Sequence, residues 1–513
     1  MDKSGGTKTA RTVALMMSIT IIGKILGLLR DRMQAGYLGG GTAEATAFMH
    51  ASFLPRIFLD IMFAAAFSAS FIPVFSSYVE LKGKRAAFDL AALFLSITTV
   101  LTIGVAIVAV IFARPIFIAT IGEANLPPGT IELGTTLFRF MLPLMVLSGV
   151  AFTFAGILQS LGEFKLPAAM SIVSNGIIIL YYFLLMDRFG VYGLAFAFLA
   201  GWVMQAVIQV PFLVKHKFKF RFCLDLKDPG IRQIAKLALP VIVSSWVVPV
   251  NIGVNARAVD GQFITALHFA NTLFMIISGV FILSVSNVIF PKLSRQVATG
   301  DEKGFVATLN ETVSAVFFFL VPLTLGLMLL SRPLVSLIFG WGYFGEGDVA
   351  VAGQALFFFS IGIVGFGLFT VLSRACFAKM NGKAPTVAAV VALAVNAVLS
   401  FALAPVYQVV GVAIAGAASQ IVGALVLVVV LTKKGALVWK TSTFVNLVKI
   451  GVATGCMFVA VLFLREYFYG AHELLLLGVT GVVGVVVYFG ITLLTGTREM
   501  DWVKGFLRKE KTC

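Results

Sequence analysis

Charged residues are scarce in this chain. Asp, Glu, Lys and Arg make up 12% of its 513 residues, about half the share of an ordinary soluble domain, which leaves too little polar surface to clothe a water-soluble fold. Cysteine is rarer still. Cys223, Cys376, Cys456 and Cys513 are scattered without a CxxC pair, which excludes zinc-ribbon spacing and a disulfide framework. The four histidines, His50, His216, His268 and His472, are equally dispersed, so no metal-ligand cluster can be read and no metal is expected. No GxxxxGK[ST] occurs, so a Walker-type phosphate cradle is absent and ATP drive from within the chain is not indicated. The acids between apolar runs, such as Glu123, Glu346 and Asp348, are isolated. Catalysis by paired carboxylates, as in a membrane glycosyltransferase, therefore has no footing, and neither catalytic residues nor a cofactor are expected.

Apolar side chains fill the space that charge vacates, at 59% of the chain. Runs of roughly 20 residues suffice to cross a bilayer, and they recur from end to end. They predict an all-α integral membrane protein with about fourteen spans, at 11–37, 46–78, 87–113, 131–161, 166–186, 190–214, 233–255, 262–291, 305–331, 349–378, 385–404, 409–432, 445–464 and 474–496. Lys3, Lys8 and Arg11 ahead of the first run imitate a signal peptide, but Lys24 and Arg30 interrupt it and no small-residue cleavage site follows, so it reads as a retained first span.

The formal charge of +16 could suggest nucleic acid, yet its placement points to topology. With the segments between spans assigned alternately, twenty-eight of the 39 Lys and Arg fall on the side of both termini and five on the other. That asymmetry is what the positive-inside rule expects of an even number of spans with cytoplasmic ends. Basic segments of this kind also suit anionic lipid head groups.

An internal repeat runs through the chain. Pro73 matches Pro291, Arg114-Pro115 matches Arg332-Pro333, Gly122 matches Gly340, and Lys165, Pro167 and Gly193 match Lys383, Pro385 and Gly411, all at an offset of 218. The offset covers an even number of spans, so the copies share membrane orientation, as in two-lobed transporters. The expected division is a first lobe over 1–220, a second over 221–440, and spans thirteen and fourteen with a basic tail over 441–513.

Ionisable groups inside spans cost about 2.5–3.5 kcal/mol each and mark function by default. The first span holds Lys24, Arg30, Asp31 and Arg32, the second Arg56 and Asp60, the fourth Arg139, and the tenth Arg374. A cavity with this excess of cations would attract an anion such as a diphosphate, for which the arginine fork is suited. Pairing within the protein competes with that reading: Arg56 and Asp60 stand one turn apart, and Asp31 lies on the same helix face as Lys24. Arg30 has no evident partner, since Asp31 points elsewhere. Arg32 and Arg374 sit near span ends, where they would snorkel, whereas Arg139 suits either a wet cavity or snorkelling. His50 and His268 are weaker candidates, more simply packing residues. Gly23 and Gly27 have the spacing of close helix packing.

Several stretches resemble the MurJ (MviN) lipid II flippases of the multidrug/oligosaccharidyl-lipid/polysaccharide superfamily: GKILGLLRD at 23–31, AFSASFIPVFSSY at 66–78, GILQSLGEFKLPA at 156–168 with Asn175 following, DPGIRQIAKLALP at 228–240 and RPLVSLIFGWGYF at 332–344. The resemblance implies alternating-access transport of an undecaprenyl-diphosphate-linked disaccharide-pentapeptide from the inner to the outer leaflet, driven by membrane potential or an ion gradient. It implies a cationic cavity for the diphosphate and a groove at the last two spans for the lipid tail. By carry-over, Lys24 takes an arginine position of the family motif, Arg30 and Asp31 match directly, and Arg139 falls where a base is usual. Departures are Ala64-Ala65 in place of a Glu-Gly, Glu44 out of register with the family's acid at the start of span two, and Ala270-Asn271 in place of an Asp-Arg pair, so that Asn271 holds a phosphate-clamp position without the arginine. The substrate-binding set expected is thus Lys24, Arg30, Asp31, Arg56, Arg139 and Asn271. Its setting is a bacterial plasma-membrane monomer that meets a lipid-linked anion, membrane lipids and cell-wall synthesis proteins, but no nucleic acid. Alternatives are a flippase for another polyprenyl-linked glycan and a cation-coupled multidrug exporter of the same superfamily.

Overall fold

The computed structural model describes residues 3–57, 64–121, 126–245, 247–439, 441–468, 470 and 472–500. Among these residues the regular structure is helical throughout. Inside a bilayer no water is at hand for backbone N–H and C=O groups, and a helix satisfies them within one segment.

The chain divides into two compact units, one of residues 1–265 with 342–344, the other of 266–341 with 345–513. The first unit contains α1 (Lys3–Leu38), α2 (Ala43–Ile57), α3 (Ala64–Leu81), α4 (Gly83–Ile111), α5 (Ala113–Ile121) and α6 (Thr130–Met141). It continues with α7 (Leu144–Ser160), α8 (Lys165–Leu184), α9 (Met186–Val207), α10 (Val210–Lys215), α11 (Pro229–Ser245) and α12 (Val247–Ala258). A 3-10 turn at Gly261–Phe263 leads into α13 (Ile264–Ala298), nearly all of which belongs to the second unit. There α14 (Glu302–Phe339), α15 (Glu346–Ile361), α16 (Ile363–Ala378), α17 (Lys383–Lys433), α18 (Thr441–Tyr467) and α19 (Glu473–Thr495) follow.

Among the described residues, helices overlap each of the fourteen expected apolar runs. Among the described residues, nine helical segments are long and apolar enough to cross a membrane singly, and α15 with α16, bent by 46°, makes a tenth. The longest helix, α17 at 51 residues, is two spans in sequence, because Gln408 breaks it with φ 46° and ψ −124°.

That break is part of a repeating backbone. Among the described residues, three non-glycines have positive φ, Lys217, Met380 and Gln408 (φ 64°, 55° and 46°), and glycines with positive φ stand 218 positions away from each, at Gly435, Gly162 and Gly190 (φ 67°, 87° and 54°). The hydrogen bonds recur too: Glu163 N–H donates to Leu158 O as Asn381 N–H donates to Cys376 O, each at 2.9 Å. The first two pairs are helix-ending turns of the kind glycine favours, whereas Gly190 and Gln408, with ψ −150° and −124°, kink a helix from within. In each pair one copy uses glycine and the other tolerates a side chain. At Gln408 the conformation is close to one that only glycine adopts without strain, which costs on the order of 1–3 kcal/mol. Gln408→Gly is therefore expected to raise stability by about 1 kcal/mol, read as a higher midpoint in thermal unfolding in detergent.

Phenylalanine supplies much of the packing. In the first unit Phe67, Phe71 and Phe75 stack along α3, with ring centroids 4.6 and 5.4 Å apart, amid a core drawn from α4, α7 and α11. In the second, Phe318 of α14 lies fully buried against Ile450, Met457 and Tyr488 of α18 and α19, and the Tyr488 hydroxyl donates to Phe318 O at 2.5 Å.

Candidate functional site

The seam between α1 and α8 is close because glycine lines it. A Cβ on Gly23 would fall 2.3 Å from Ser171 Oγ, and one on Gly27 would meet Asn175 Nδ2 at 3.5 Å. Asn175 Nδ2 itself donates to Gly23 O at 3.3 Å. The spacing of Gly23 and Gly27 thus serves helix packing, and it brings Asn175 under the next two turns of α1.

Arg30, expected to lack a partner because Asp31 would point elsewhere, is instead gripped there by Asp31 itself, since its long side chain folds back onto its neighbour. Its Nε and Nη2 donate to Asp31 Oδ1 at 3.0 and 2.6 Å, and its Nη1 donates to Asn175 Oδ1 at 3.1 Å. The Phe198 ring of α9 lies 5.9 Å from the guanidinium carbon, within the range of a cation–π contact. With side-chain exposures of 15% for Arg30 and 8% for Asp31, the pair is held in a fixed orientation while Arg30 keeps an opening to its surroundings. Further along α1, Gln34 Nε2 reaches Met49 Sδ of α2, and Tyr37 stacks on Tyr182 of α8 at 5.4 Å. The Tyr182 hydroxyl is buried with no hydrogen-bond partner among the described residues.

The expected neutralisation of Lys24 by Asp31 does not occur. Seven residues of helix rise about 10.5 Å, more than twice the reach of an ion pair, whereas the long Arg30 side chain curls back onto its neighbour. Lys24 is exposed. Arg139 ends α6 and is exposed, and Asn271 is half-buried on α13 of the second unit. The side chain of Arg56 and all of Asp60 lie outside the described residues. Within the first unit the structure therefore joins Arg30 and Asp31 directly and adds Asn175 and Phe198 to them. Arg374, near a span end, donates from Nε to Ser286 Oγ at 3.1 Å and rests 5.5 Å over Phe290. His50 is buried edge-on to Phe117, its Nε2 without a partner among the described residues. His268 makes an edge contact with Phe269.

Sequence reasoning missed a second polar cluster. Glu499, 2% exposed, accepts from Asn446 Nδ2 at 2.9 and 2.8 Å and from Ser314 Oγ at 2.5 Å. It closes one side of a cavity of about 770 Å³ lined also by Glu311, Asn310 and Arg498. Glu499 lies in the turn after α19 and its partners in α14 and α18, and no spacing in the sequence links them.

A planar guanidinium fixed by a carboxylate, an amide and an aromatic face can present its fork to phosphate oxygens. Asp31 is already committed to it. The family described as "Lipid II flippase MurJ" matches residues 34–480. The chain is 28% identical to a protein named "Probable lipid II flippase MurJ" from Vibrio cholerae, over 95% of this chain and 96% of that one. It is 26% identical to a protein of the same name from Rhizobium tropici, over 96% and 95%. Among solved structures, "Lipid II flippase MurJ, inward closed conformation" superposes with a TM-score of 0.80 at 24% identity, covering 94% of this chain and 98% of that one. An inward-facing multidrug resistance MATE family transporter of the MOP superfamily gives 0.67 at 15% identity, over 82% and 97%. Both structures show a shared fold.

Proposed function

The chain belongs to the MurJ lipid II flippase family, a multi-pass membrane family, and from that premise we propose that it carries undecaprenyl-diphosphate-linked peptidoglycan precursor from the inner to the outer leaflet of a bacterial plasma membrane by alternating access. The observation that carries the proposal is the Arg30–Asp31–Asn175 constellation in the helix that bears the family-like GKILGLLRD. The substrate's diphosphate engages the Arg30 fork, and Lys24, exposed two turns earlier on α1, adds an unrestrained positive charge. Arg56, Arg139 and Asn271 are the remaining members of the proposed binding set. No covalent bond is made or broken, so no catalytic residue and no cofactor is called for.

Asn271 contributes amide donors where the family motif has an arginine, which places the weight of phosphate binding on α1. A cation-coupled exporter would need a carboxylate available to its cation, and Asp31 is tied to Arg30. We assign both termini to the cytoplasm on the distribution of Lys and Arg. The protein acts as a monomer that can meet the cell-wall synthesis proteins consuming its product, and membrane potential or an ion gradient drives its cycle. One unit charge moved across 100 mV is worth about 2.3 kcal/mol.

Complementation tests the reading. A bacterium depleted of its own flippase should grow and keep its shape when this chain is expressed. Lysis despite normal levels of the protein in the membrane would contradict it.

A further inference from the structure

Between α10 and α11 the chain crosses residues 216–228 without a helix, and from Lys219 to Lys227 every residue is exposed. Its composition is not that of an ordinary solvated loop. Lys217, Lys219 and Arg221 alternate with Phe218, Phe220 and Phe222, and Leu224 and Leu226 continue the apolar positions. Phe218 is anchored: it is buried, with its ring 5.5 Å from that of Phe88 in α4. The next four apolar side chains lack protein cover, with Phe220, Phe222, Leu224 and Leu226 exposed by 51 to 70%. In an extended run, alternate side chains leave on opposite sides.

The level of this strap on α4 is fixed. Cys223 N–H donates to Ser96 Oγ at 3.2 Å. The exposed large apolar side chains of α4 begin one turn further on, at Val100, and continue to Ile111, whereas Lys84, Arg85 and Asp89 stand toward the other end. Ser96 therefore lies about 6 Å from the start of the lipid-facing band, at the boundary between head groups and acyl chains. The strap's other end is pinned as well, by Asp228 Oδ1, which accepts from Gly230 N–H and Ile231 N–H at 2.8 and 3.1 Å to open α11.

We propose that residues 217–226 form an interfacial strap that binds the leaflet beside it, with Phe220, Phe222, Leu224 and Leu226 entering the head-group/acyl boundary and Lys217, Lys219 and Arg221 holding anionic phospholipid head groups. The occupant is a lipid surface and not an acidic protein, because basic and large apolar side chains alternate at the depth where both lipid chemistries meet. Each basic residue at such a surface favours an anionic over a neutral lipid by roughly fivefold. The inference rests on α4 crossing a membrane and is independent of what is transported.

The test uses the full-length protein with Leu224→Cys as a labelling site, in a background with Cys223→Ser, Cys456→Ser and Cys513→Ser; Cys376 is buried. A fluorophore at position 224 is followed in phosphatidylcholine vesicles with and without phosphatidylglycerol, using brominated versions of each lipid as quenchers. The expected result is quenching by both lipids, with phosphatidylglycerol preferred by about fivefold or more, and loss of that preference in Lys217→Gln/Lys219→Gln/Arg221→Gln. The three positions are exposed, so the variant should fold, which its elution in detergent checks. A label quenched by aqueous iodide and by neither lipid would overturn the proposal. So would an unchanged phosphatidylglycerol preference in the triple variant, or lipid contact appearing only after a soluble protein is removed. Growth rescue by the unlabelled chain is read separately, so loss of the strap and loss of the transport reading are distinguishable.

Discussion

Arg30→Ala is expected to abolish rescue of a flippase-depleted bacterium and to weaken binding of the diphosphate-linked precursor by ten- to a hundredfold or more. A charge-assisted hydrogen bond contributes about 1.5–3 kcal/mol, and the fork can offer more than one to a diphosphate. Two effects must be separated, because removing the guanidinium also leaves Asp31 buried and unpaired, at a cost of about 3–5 kcal/mol. The double variant Arg30→Ala/Asp31→Asn removes both charges. It should recover normal expression and thermal stability while still failing to transport. Arg30→Lys keeps the charge but loses the fork, and Asn175 and Asp31 sit where a bidentate group is needed, so partial activity is expected. Full activity of the double variant, at wild-type levels in the membrane, would place the diphosphate elsewhere.

The second large effect concerns stability in the other unit. Asn446→Ala removes the amide that donates to both carboxylate oxygens of Glu499. Hydrogen bonds to a charged group contribute about 1.5–3 kcal/mol each, and a buried carboxylate deprived of them is costly. A loss of roughly 3 kcal/mol is expected, seen as a marked fall in unfolding temperature and as faster proteolysis after α19, where Met500 is buried against the same core. Glu499→Gln in the same background should restore part of the loss, because a neutral amide tolerates the vacancy better than an ion. An unchanged midpoint for Asn446→Ala would mean that water meets the carboxylate's needs.

How much of this was legible in the sequence depended on whether the determinant was local. Spans were legible because length and apolarity decide them, and the break within α17 fell where the run at 385–404 gave way to that at 409–432. Membership of the flippase family was legible from short stretches such as GKILGLLRD. The site was legible in its charges but not in its pairings. Helix periodicity placed Asp31 on the face of Lys24, but periodicity ignores the rise between turns and the reach of an arginine side chain. Asn175 was visible as a motif residue, yet its bond to Arg30 joins positions 145 residues apart, and the ring of Phe198 beneath the guanidinium comes from a third helix. Glu499 lies after the last apolar run, and only the turn after α19 brings it to Asn446 and Ser314.

Leaflet position of the precursor is the most direct measurement of what this protein does. Purified protein in proteoliposomes, with fluorescent undecaprenyl-diphosphate-linked precursor loaded on one leaflet and a membrane-impermeant reductant added to the other side, should convert protected fluorophore into quenchable fluorophore. The rate should rise with the amount of protein and vanish in Arg30→Ala/Asp31→Asn. Protected signal that decays no faster than in protein-free vesicles, from protein that is folded and inserted, would contradict the proposed transport.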